Sequence, residues 1–510
     1  MNYKLKEYIG LLEEKNILDS CNLSDELKEI EIKAIEFNSK NVKKNSIFVA
    51  KGKLFILKYL EEAINNGAEV IIRETDFYVE GMEELIEGRE IVVNDINVTM
   101  PLIADKFYES PWKELNLIGI TGTKGKTTTS QYLRFVIDDF LEKTDSKCGC
   151  STGIASYFGK EEIVPHITTP ESMDLKKYIR AAVNNGINYY VLEVSSQSLK
   201  YHRVANTIFK IGCFLNIGND HISDKEHSDF QDYFDSKKKI LAQSEYLCLN
   251  MDLPQFGEIY ADALKKVSKE KIITFGMNKD ALIKGVNVVS NDEGIQFDLQ
   301  TPKYSGKITL SMKGIFNIAN ALCAIAAAYI LDIPLDNIRN GLKKAKATGR
   351  MEVYYSREER IPVIVDYAHN EMSYISLFES LKEEFPNKKI YFVFGSVGGK
   401  AFNRRKVLGR IAGQYAEKIF ITEDDSGQEP TENICREIAN GAEEVGGTYE
   451  IILERGEAIM RATEFLDNES LLVLAGKGAE TTIYRGSKYE DYPADLEWVE
   501  KAMGKDWLRK

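Results

Sequence analysis

Gly119-Ile120-Thr121-Gly122-Thr123-Lys124-Gly125-Lys126-Thr127-Thr128-Thr129 is the stretch that decides how the rest of the chain is read. The apolar run Leu115-Asn116-Leu117-Ile118 precedes it, and Gln131-Tyr132-Leu133-Arg134-Phe135-Val136-Ile137 follows. That order predicts a strand, a glycine turn and a helix. Such a turn aims backbone N–H groups and a helix N-terminus at a phosphate. Lys126 is placed to reach β- and γ-phosphates, and the Thr127 hydroxyl to hold Mg²⁺. The general phosphate-loop pattern asks for glycine at position 120, which is Ile. What stands here is the shorter Thr-Gly-Thr-x-Gly-Lys-Thr form, and it points to a nucleoside triphosphate. The alternative is an ordinary glycine-rich strand-to-helix turn.

The chain has 510 residues, 44% hydrophobic and 28% charged, which suits two to four soluble globular domains. A formal charge of −13 argues against a nucleic-acid partner, because phosphate-backbone affinity needs a basic surface. The seven cysteines make no C-x-x-C pair and read as reduced thiols. The charged N-terminal stretch has no apolar signal core, and no run reaches the eighteen or so residues of a membrane span. A cytoplasmic protein without membrane insertion, and a monomer, is expected.

Strand and helix patterns alternate throughout. Ser46–Ala50 and Ala68–Ile72 read as strands, with a helix from Tyr59 to Asn66 between them. Tyr189–Val194, Ile211–Asn216, Val363–Asp366, Ile390–Phe394, Lys418–Ile421 and Leu471–Ala475 are near-continuous apolar runs, the mark of buried parallel strands. Pro111 and Trp112 suggest one boundary and the segment Ala345–Gly349 a second. The expected fold is α/β in three domains: an N-terminal α/β domain over 1–112, a central phosphate-loop doubly wound sheet over 113–347 and a C-terminal Rossmann-like domain over 348–510. Ligands of such sheets sit at the carboxyl ends of the strands.

Three further features carry chemistry. Glu193 ends a strand and is followed by Val194-Ser195-Ser196-Gln197, so it reads either as a carboxylate completing a Mg²⁺ shell or as a helix-start Glu beside capping serines. His221 follows the strand after it and reads either as a metal ligand or as a structural histidine. Lys237-Lys238-Lys239 reads locally as a solvated helix face.

The short phosphate loop resembles that of the Mur ligase family, ATP-dependent amide-forming enzymes of bacterial cell-wall precursor synthesis, and of their relative folylpolyglutamate synthase. The resemblance covers essentially the whole chain. It implies ATP contacts from Gly122, Thr123, Lys124, Gly125, Lys126, Thr127 and Thr128. Gly314-x-Phe316-Asn317-x-x-Asn320 resembles the family's adenine-facing motif, with Asn317 against the base. Arg350 and Asp366 match residues on the phosphates and the ribose. Glu193 with Thr127, and His221, match ligands of two Mg²⁺ ions. Lys237, at the family's Tyr-x-x-x-Lys spacing from Tyr233, matches a lysine that reacts with CO₂ to give a carbamate and becomes an anionic oxygen ligand. That reaction needs an unprotonated amine, and Lys238 and Lys239 are expected to disfavour the charged form. Lys126, Lys237 and His221 are the implied catalytic set.

Thr168-Thr169-Pro170-Glu171 resembles the MurE subfamily, which adds the third amino acid to UDP-N-acetylmuramoyl-L-alanyl-D-glutamate. Thr168, Thr169, Ser195 and Arg203 match its nucleotide-sugar contacts, and so does Ser39, although Asn38 and Lys40 stand where the subfamily has Asp and Arg. Diaminopimelate-adding members carry Asp-Asn-Pro-Arg in the third domain, where the Arg binds the distal carboxylate. This chain has Asp424-Asp425-Ser426-Gly427 and lacks that Arg. Lys400 matches an arginine of those enzymes and is expected on the α-carboxylate, and Glu480 matches an acid that binds an amino group. A pocket of Asp424, Asp425 and Glu480 suits a second ammonium and points to L-lysine. Gln197 and the longer Asp220–His227 segment resemble the lysine-adding members as well. meso-Diaminopimelate, L-ornithine, a folylpolyglutamate synthase-like acceptor and a non-catalytic nucleotide switch remain the alternatives.

Overall fold

The computed structural model describes residues 3–165, 167–223, 226–291, 294–346, 349–356, 361–400, 402–504 and 507–509. The expected boundary at 347/348, and Asp224 and Lys225 of the longer segment, lie outside the described residues. Three sheets organise the chain, each around its own apolar core.

The first sheet has five strands. Ala34–Glu36, Ser46–Val49, Ala68–Glu74 and Glu90–Val93 run parallel, and Leu18–Cys21 closes the edge antiparallel to Glu90–Val93. The helix between the second and third of these strands is Leu57–Asn65.

The second sheet has eleven strands. Asn116–Thr121 lies at its centre, parallel to Tyr189–Glu193 on one side and Phe209–Phe214 on the other. The chain leaves Asn116–Thr121 through the helix Lys126–Phe140, so the phosphate-loop turn sits where successive strands depart in opposite directions. That is the switch point at which doubly wound sheets open a crevice. Apolar strands and the all-buried face of the helix Asn317–Ile330 fill the core beneath it.

The third sheet has seven strands. Tyr449–Ile451, Lys418–Ile421, Lys389–Phe394, Ser470–Ala475 and Pro362–Asp366 are parallel neighbours in that order, and Glu352–Ser356 then Trp507–Arg509 are antiparallel. The doubly wound α/β architecture expected from the alternation is the one observed.

The first sheet is anchored to the second through the helix Ser172–Asn184. Met173 of that helix is buried in the first unit's core. The fully buried ammonium of Lys176 donates to Asp105 at 2.6 Å, and Trp112 Nε1 donates to the same carboxylate oxygen at 3.1 Å. Among the described residues no helix is long and apolar enough to cross a membrane.

Candidate active site

The phosphate loop is held by its own lysine and by distant packing. Lys126 Nζ donates to the carbonyls of Gly122 at 2.8 Å and Thr123 at 3.2 Å, which curls the loop around the ammonium. Gly125 has φ +79°, and a Cβ there would lie 2.1 Å from Asn320 Oδ1, so both backbone and space demand glycine. Asn320 in turn donates to Asn317 Oδ1 at 2.9 Å, which ties the expected adenine motif to the loop.

Glu193, 1% exposed, stands in register with Ile120 on the neighbouring strand. Its carboxylate accepts from Gly153 N at 3.1 Å and from the Thr127 hydroxyl. Burial raises its pKa, and the Lys126 charge pulls the other way. Glu193 and Thr127 are therefore brought together at the start of the loop helix. Glu193 ends its strand, and the capping serine is Ser195, whose Oγ accepts from Ser198 N at 3.1 Å at the start of Ser196–Lys200.

Lys237 ends the helix Phe230–Lys238 and points inward. It is 1% exposed, and its Nζ donates to Gly122 O at 2.9 Å, the carbonyl Lys126 also uses. The ammonium lies over the Tyr233 ring, 4.7 Å from its centre. Among the described residues no carboxylate pairs with it. Its pKa is lowered well below the usual lysine value, first by burial and then by the Lys126 charge. This corrects the expected cause. Lys238 turns outward to Asp235, Glu258 and Asp262 and holds its own proton more tightly, and Lys239 Nζ reaches Leu199 O. Burial and the Lys126 charge, not the adjacent lysines, disfavour the charged form of Lys237.

His221 adopts φ +57°. Its Nδ1 lies 2.9 Å from Glu226 Oε1 and its Nε2 3.7 Å from Asp220 Oδ2. Asp220 also faces Lys124 at 3.7 Å and accepts from the Asn370 amide of the third unit.

Arg350 Nη2 lies 3.5 Å from Thr127 Oγ1, and its guanidinium stacks on Tyr367, 4.4 Å from the ring centre. The first turn of the third unit is thus aimed at the phosphate loop. Asp366 accepts from Met351 N at 2.6 Å and Ala368 N at 2.7 Å, so its carboxylate organises that turn, whatever else it holds.

The residues expected on the nucleotide sugar gather only in part. Thr169 donates to Glu193 O at 2.8 Å and accepts from Ser195 N at 3.0 Å, which commits its hydroxyl to the strand end. Thr168 is half-buried and faces the same gap by Gly153 as Thr127. Arg203 pairs with Glu171 at 2.9 Å, and Lys51 of the first unit reaches the other oxygen of Glu171 at 2.8 Å. Ser39 is buried in the first unit, where its hydroxyl donates to Glu62.

In the third unit the loops after Lys389–Phe394, Lys418–Ile421 and Ser470–Ala475 meet. Arg405, fully buried, makes two bonds to Glu429 at 2.6 and 2.7 Å and one to Val397 O at 3.1 Å. Glu429 accepts from Gly399 N at 2.7 Å, so this arginine locks the loop bearing Lys400 to the loop bearing Asp424 and Asp425. Lys400 itself is exposed. Lys477 bridges Asp425 at 2.9 Å and Glu480 at 2.7 Å, so the acidic pocket already contains one ammonium. The buried Asp424 makes no ion pair among the described residues, and burial raises its pKa. Gly427 has φ +58°, and a Cβ there would lie 2.9 Å from the Tyr484 ring.

Comparison with known proteins places this arrangement. The sequence pattern of the Mur ligase middle domain matches residues 120–328, and that of the Mur ligase glutamate ligase domain matches residues 349–478. The UDP-N-acetylmuramoyl-L-alanyl-D-glutamate–L-lysine ligase of Enterococcus faecalis is 33% identical over 488 residues, covering 95% of this chain and 94% of that protein. The chain belongs to the Mur ligase family. A relative named for 2,6-diaminopimelate, from Caldanaerobacter subterraneus subsp. tengcongensis, is also 33% identical, covering 90% of this chain and 92% of that one. The structure of a UDP-N-acetylmuramoyl-L-alanyl-D-glutamate–2,6-diaminopimelate ligase superposes with a TM-score of 0.64 at 21% identity, over 99% of both chains, a likeness of fold.

Four residues of this Mur ligase site escaped the sequence reading. Glu226 and Lys477 are single charges in polar loops, with no local mark that sets them apart. Arg405 follows Arg404 in a helix whose face is legible only once packed. His369 lies in the turn Asp366-Tyr367-Ala368-His369-Asn370, and nothing in that turn signals its partner Lys124, 3.0 Å away and 245 residues earlier.

Proposed function

We propose that this Mur ligase adds L-lysine to the D-glutamyl γ-carboxylate of UDP-N-acetylmuramoyl-L-alanyl-D-glutamate at the expense of ATP, in peptidoglycan precursor synthesis. The γ-carboxylate attacks the γ-phosphorus of ATP and ADP leaves, giving an acyl phosphate. The lysine amine then adds to the acyl carbon, and phosphate departs from the tetrahedral intermediate. Substrate supplies the nucleophile at each stage, so the protein's part is positioning and charge compensation.

Lys126 neutralises phosphate charge from within the loop, beside Lys124 of the same loop and Arg350 of the third unit, whose Nη2 lies 3.5 Å from Thr127 Oγ1. Thr127 and Glu193 would hold one Mg²⁺, and His221 with Lys237 as a carbamate a second. Among the described residues no three His, Cys, Asp or Glu converge as a closed metal cage. That suits Mg²⁺, which takes one or two carboxylates plus substrate phosphates. The ions would offset charge on the transferring phosphoryl group. CO₂ adds to an unprotonated amine, and the burial of Lys237, with no carboxylate paired to it among the described residues, disfavours its charged form, which supports the carbamate. Thr168, Arg203 and Ser39 are proposed on the nucleotide sugar.

The observation that carries the choice of L-lysine is the third-unit pocket. Asp425 and Glu480 pair with Lys477, Asp424 makes no ion pair among the described residues, and the loop Asp424–Gly427 carries no arginine to meet a distal carboxylate. The remaining negative charge favours an ammonium. The relative named for L-lysine agrees with this. The relative named for 2,6-diaminopimelate makes that amino acid the second reading.

The test is phosphate release from ATP with Mg²⁺ and the UDP-muramoyl dipeptide, with L-lysine, meso-diaminopimelate, L-ornithine or nothing added, and product mass read alongside. Turnover with L-lysine alone is expected. Turnover with diaminopimelate alone would overturn the pocket argument and leave the ligase.

A further inference from the structure

Glu226 lies in the segment between the strand Phe209–Phe214 and the helix Phe230–Lys238, and nothing so far gives it a role. Its Oε1 is 2.9 Å from His221 Nδ1 and accepts from Gln197 Nε2 at 2.7 Å. Its backbone carbonyl accepts from Lys200 Nζ at 2.8 Å. Gln197 and Lys200 both belong to the short helix Ser196–Lys200, which follows Glu193 directly. One carboxylate oxygen is therefore shared by an amide that cannot lose its proton and by an imidazole nitrogen.

The consequence is a choice of tautomer. A carboxylate oxygen accepts only, so His221 Nδ1 carries the hydrogen, and in the neutral imidazole Nε2 then presents its lone pair. Nε2 is the nitrogen on the Asp220 side, toward the phosphate loop. The His221 backbone is in the left-handed region, which a non-glycine residue adopts only when its surroundings hold it there. Glu226 and Gln197 are part of that hold.

We propose that Glu226 is a positioning residue that fixes His221 as an Nε2 donor to a divalent cation, and that Gln197 fixes Glu226. Gln197 and Glu226 of the longer segment, two separate features in the sequence, then act together on His221. The cation rests on the reading given under Proposed function; the tautomer does not.

The first measurement is the ¹⁵N spectrum of the metal-free protein labelled at histidine, with His221 assigned by comparison with His221→Gln. The Nδ1–H tautomer is expected for His221, and an Nε2–H tautomer would overturn the proposal with no variant needed. Glu226→Ala should give a tautomer mixture. It should also weaken Mn²⁺ binding, measured by electron spin resonance with a non-hydrolysable ATP analogue, about ten-fold or more, the usual loss when a ligand's outer partner is removed. Glu226→Gln should keep the tautomer, because its amide carbonyl still accepts. Gln197→Ala should move both readouts the same way by less, and serves if Glu226→Ala does not fold. Unchanged tautomer and unchanged Mn²⁺ affinity in Glu226→Ala would also overturn it. Failure of the ligase assay would leave the tautomer result standing.

Discussion

Lys124 Nζ lies 3.0 Å from His369 Nε2, joining the phosphate loop to the first loop of the third unit. His369 Nδ1 donates to Tyr367 O at 2.7 Å, so Nε2 is the acceptor and the lysine donates. Burial and the Lys124 charge push the imidazole well below its ordinary pKa, and burial brings Lys124 down to about 7. With the bond from Asn370 to Asp220, this contact holds the third unit against the second. His369→Ala removes a hydrogen bond to a charged group, worth about 1.5–3 kcal/mol. We expect kcat/KM for ATP to fall about ten-fold or more and the radius of gyration of the free protein to grow, read by steady-state kinetics and X-ray scattering.

Lys237→Ala should abolish turnover, with kcat down at least a thousand-fold on the order of losing a principal charge-stabilising group. Short carboxylates such as acetate or formate, added to the assay, should restore part of it by occupying the emptied place. Full activity in the variant would remove Lys237 from the chemistry.

The same residue sets a pH dependence of stability. Its folded pKa is depressed, so above that value the native amine is neutral while the unfolded chain still binds a proton up to about pH 10.4. Its contribution is fully present above the unfolded pKa and is lost as pH falls through the folded one. Stability therefore gains from this group as pH rises between the two. Lys237→Met should flatten the slope by up to about 1.4 kcal/mol per pH unit in the range below about pH 10.4 and above the folded value, measured by urea unfolding in CO₂-free buffer.

Gly125→Ala places a methyl group 2.1 Å from Asn320 Oδ1 and 2.8 Å from Leu215 Cδ2, on a backbone at φ +79°. The expected cost is about 2–3 kcal/mol of stability. Binding of an ATP analogue should weaken a hundred-fold or more by calorimetry, because relieving the clash displaces either the loop or the Asn320 side chain that joins it to Asn317.

Lys176→Met leaves the Asp105 carboxylate with Ser110 and Trp112 but no cation, and leaves Asn206 O and Thr207 Oγ1 without a donor. Breaking one side of a buried pair costs about 3 kcal/mol. Lys176→Met with Asp105→Asn should recover part of that loss in a denaturation series.

What the sequence determined by itself is what short-range physics dictates. The apolar run Asn116–Thr121, the glycines after it and the helix beginning at Lys126 are set within fifteen or so residues, and the alternation of apolar runs with helical patterns determined parallel sheets and hence strand-end sites. Only the tertiary structure decided which charges are buried. In the helix Phe230–Lys238 each residue turns about 100° from the last, so Lys237 turns inward to Gly122 of the phosphate loop, 115 residues away, while Lys238 goes out to Glu258. Three consecutive lysines look alike in a sequence, and packing buries one of them and disfavours its charge. The acidic pocket was legible as Asp424, Asp425 and Glu480, but not that Lys477 lies between two of them. Whether a side chain meets a partner 50 or 200 residues distant depends on how the units dock, and no local pattern encodes that.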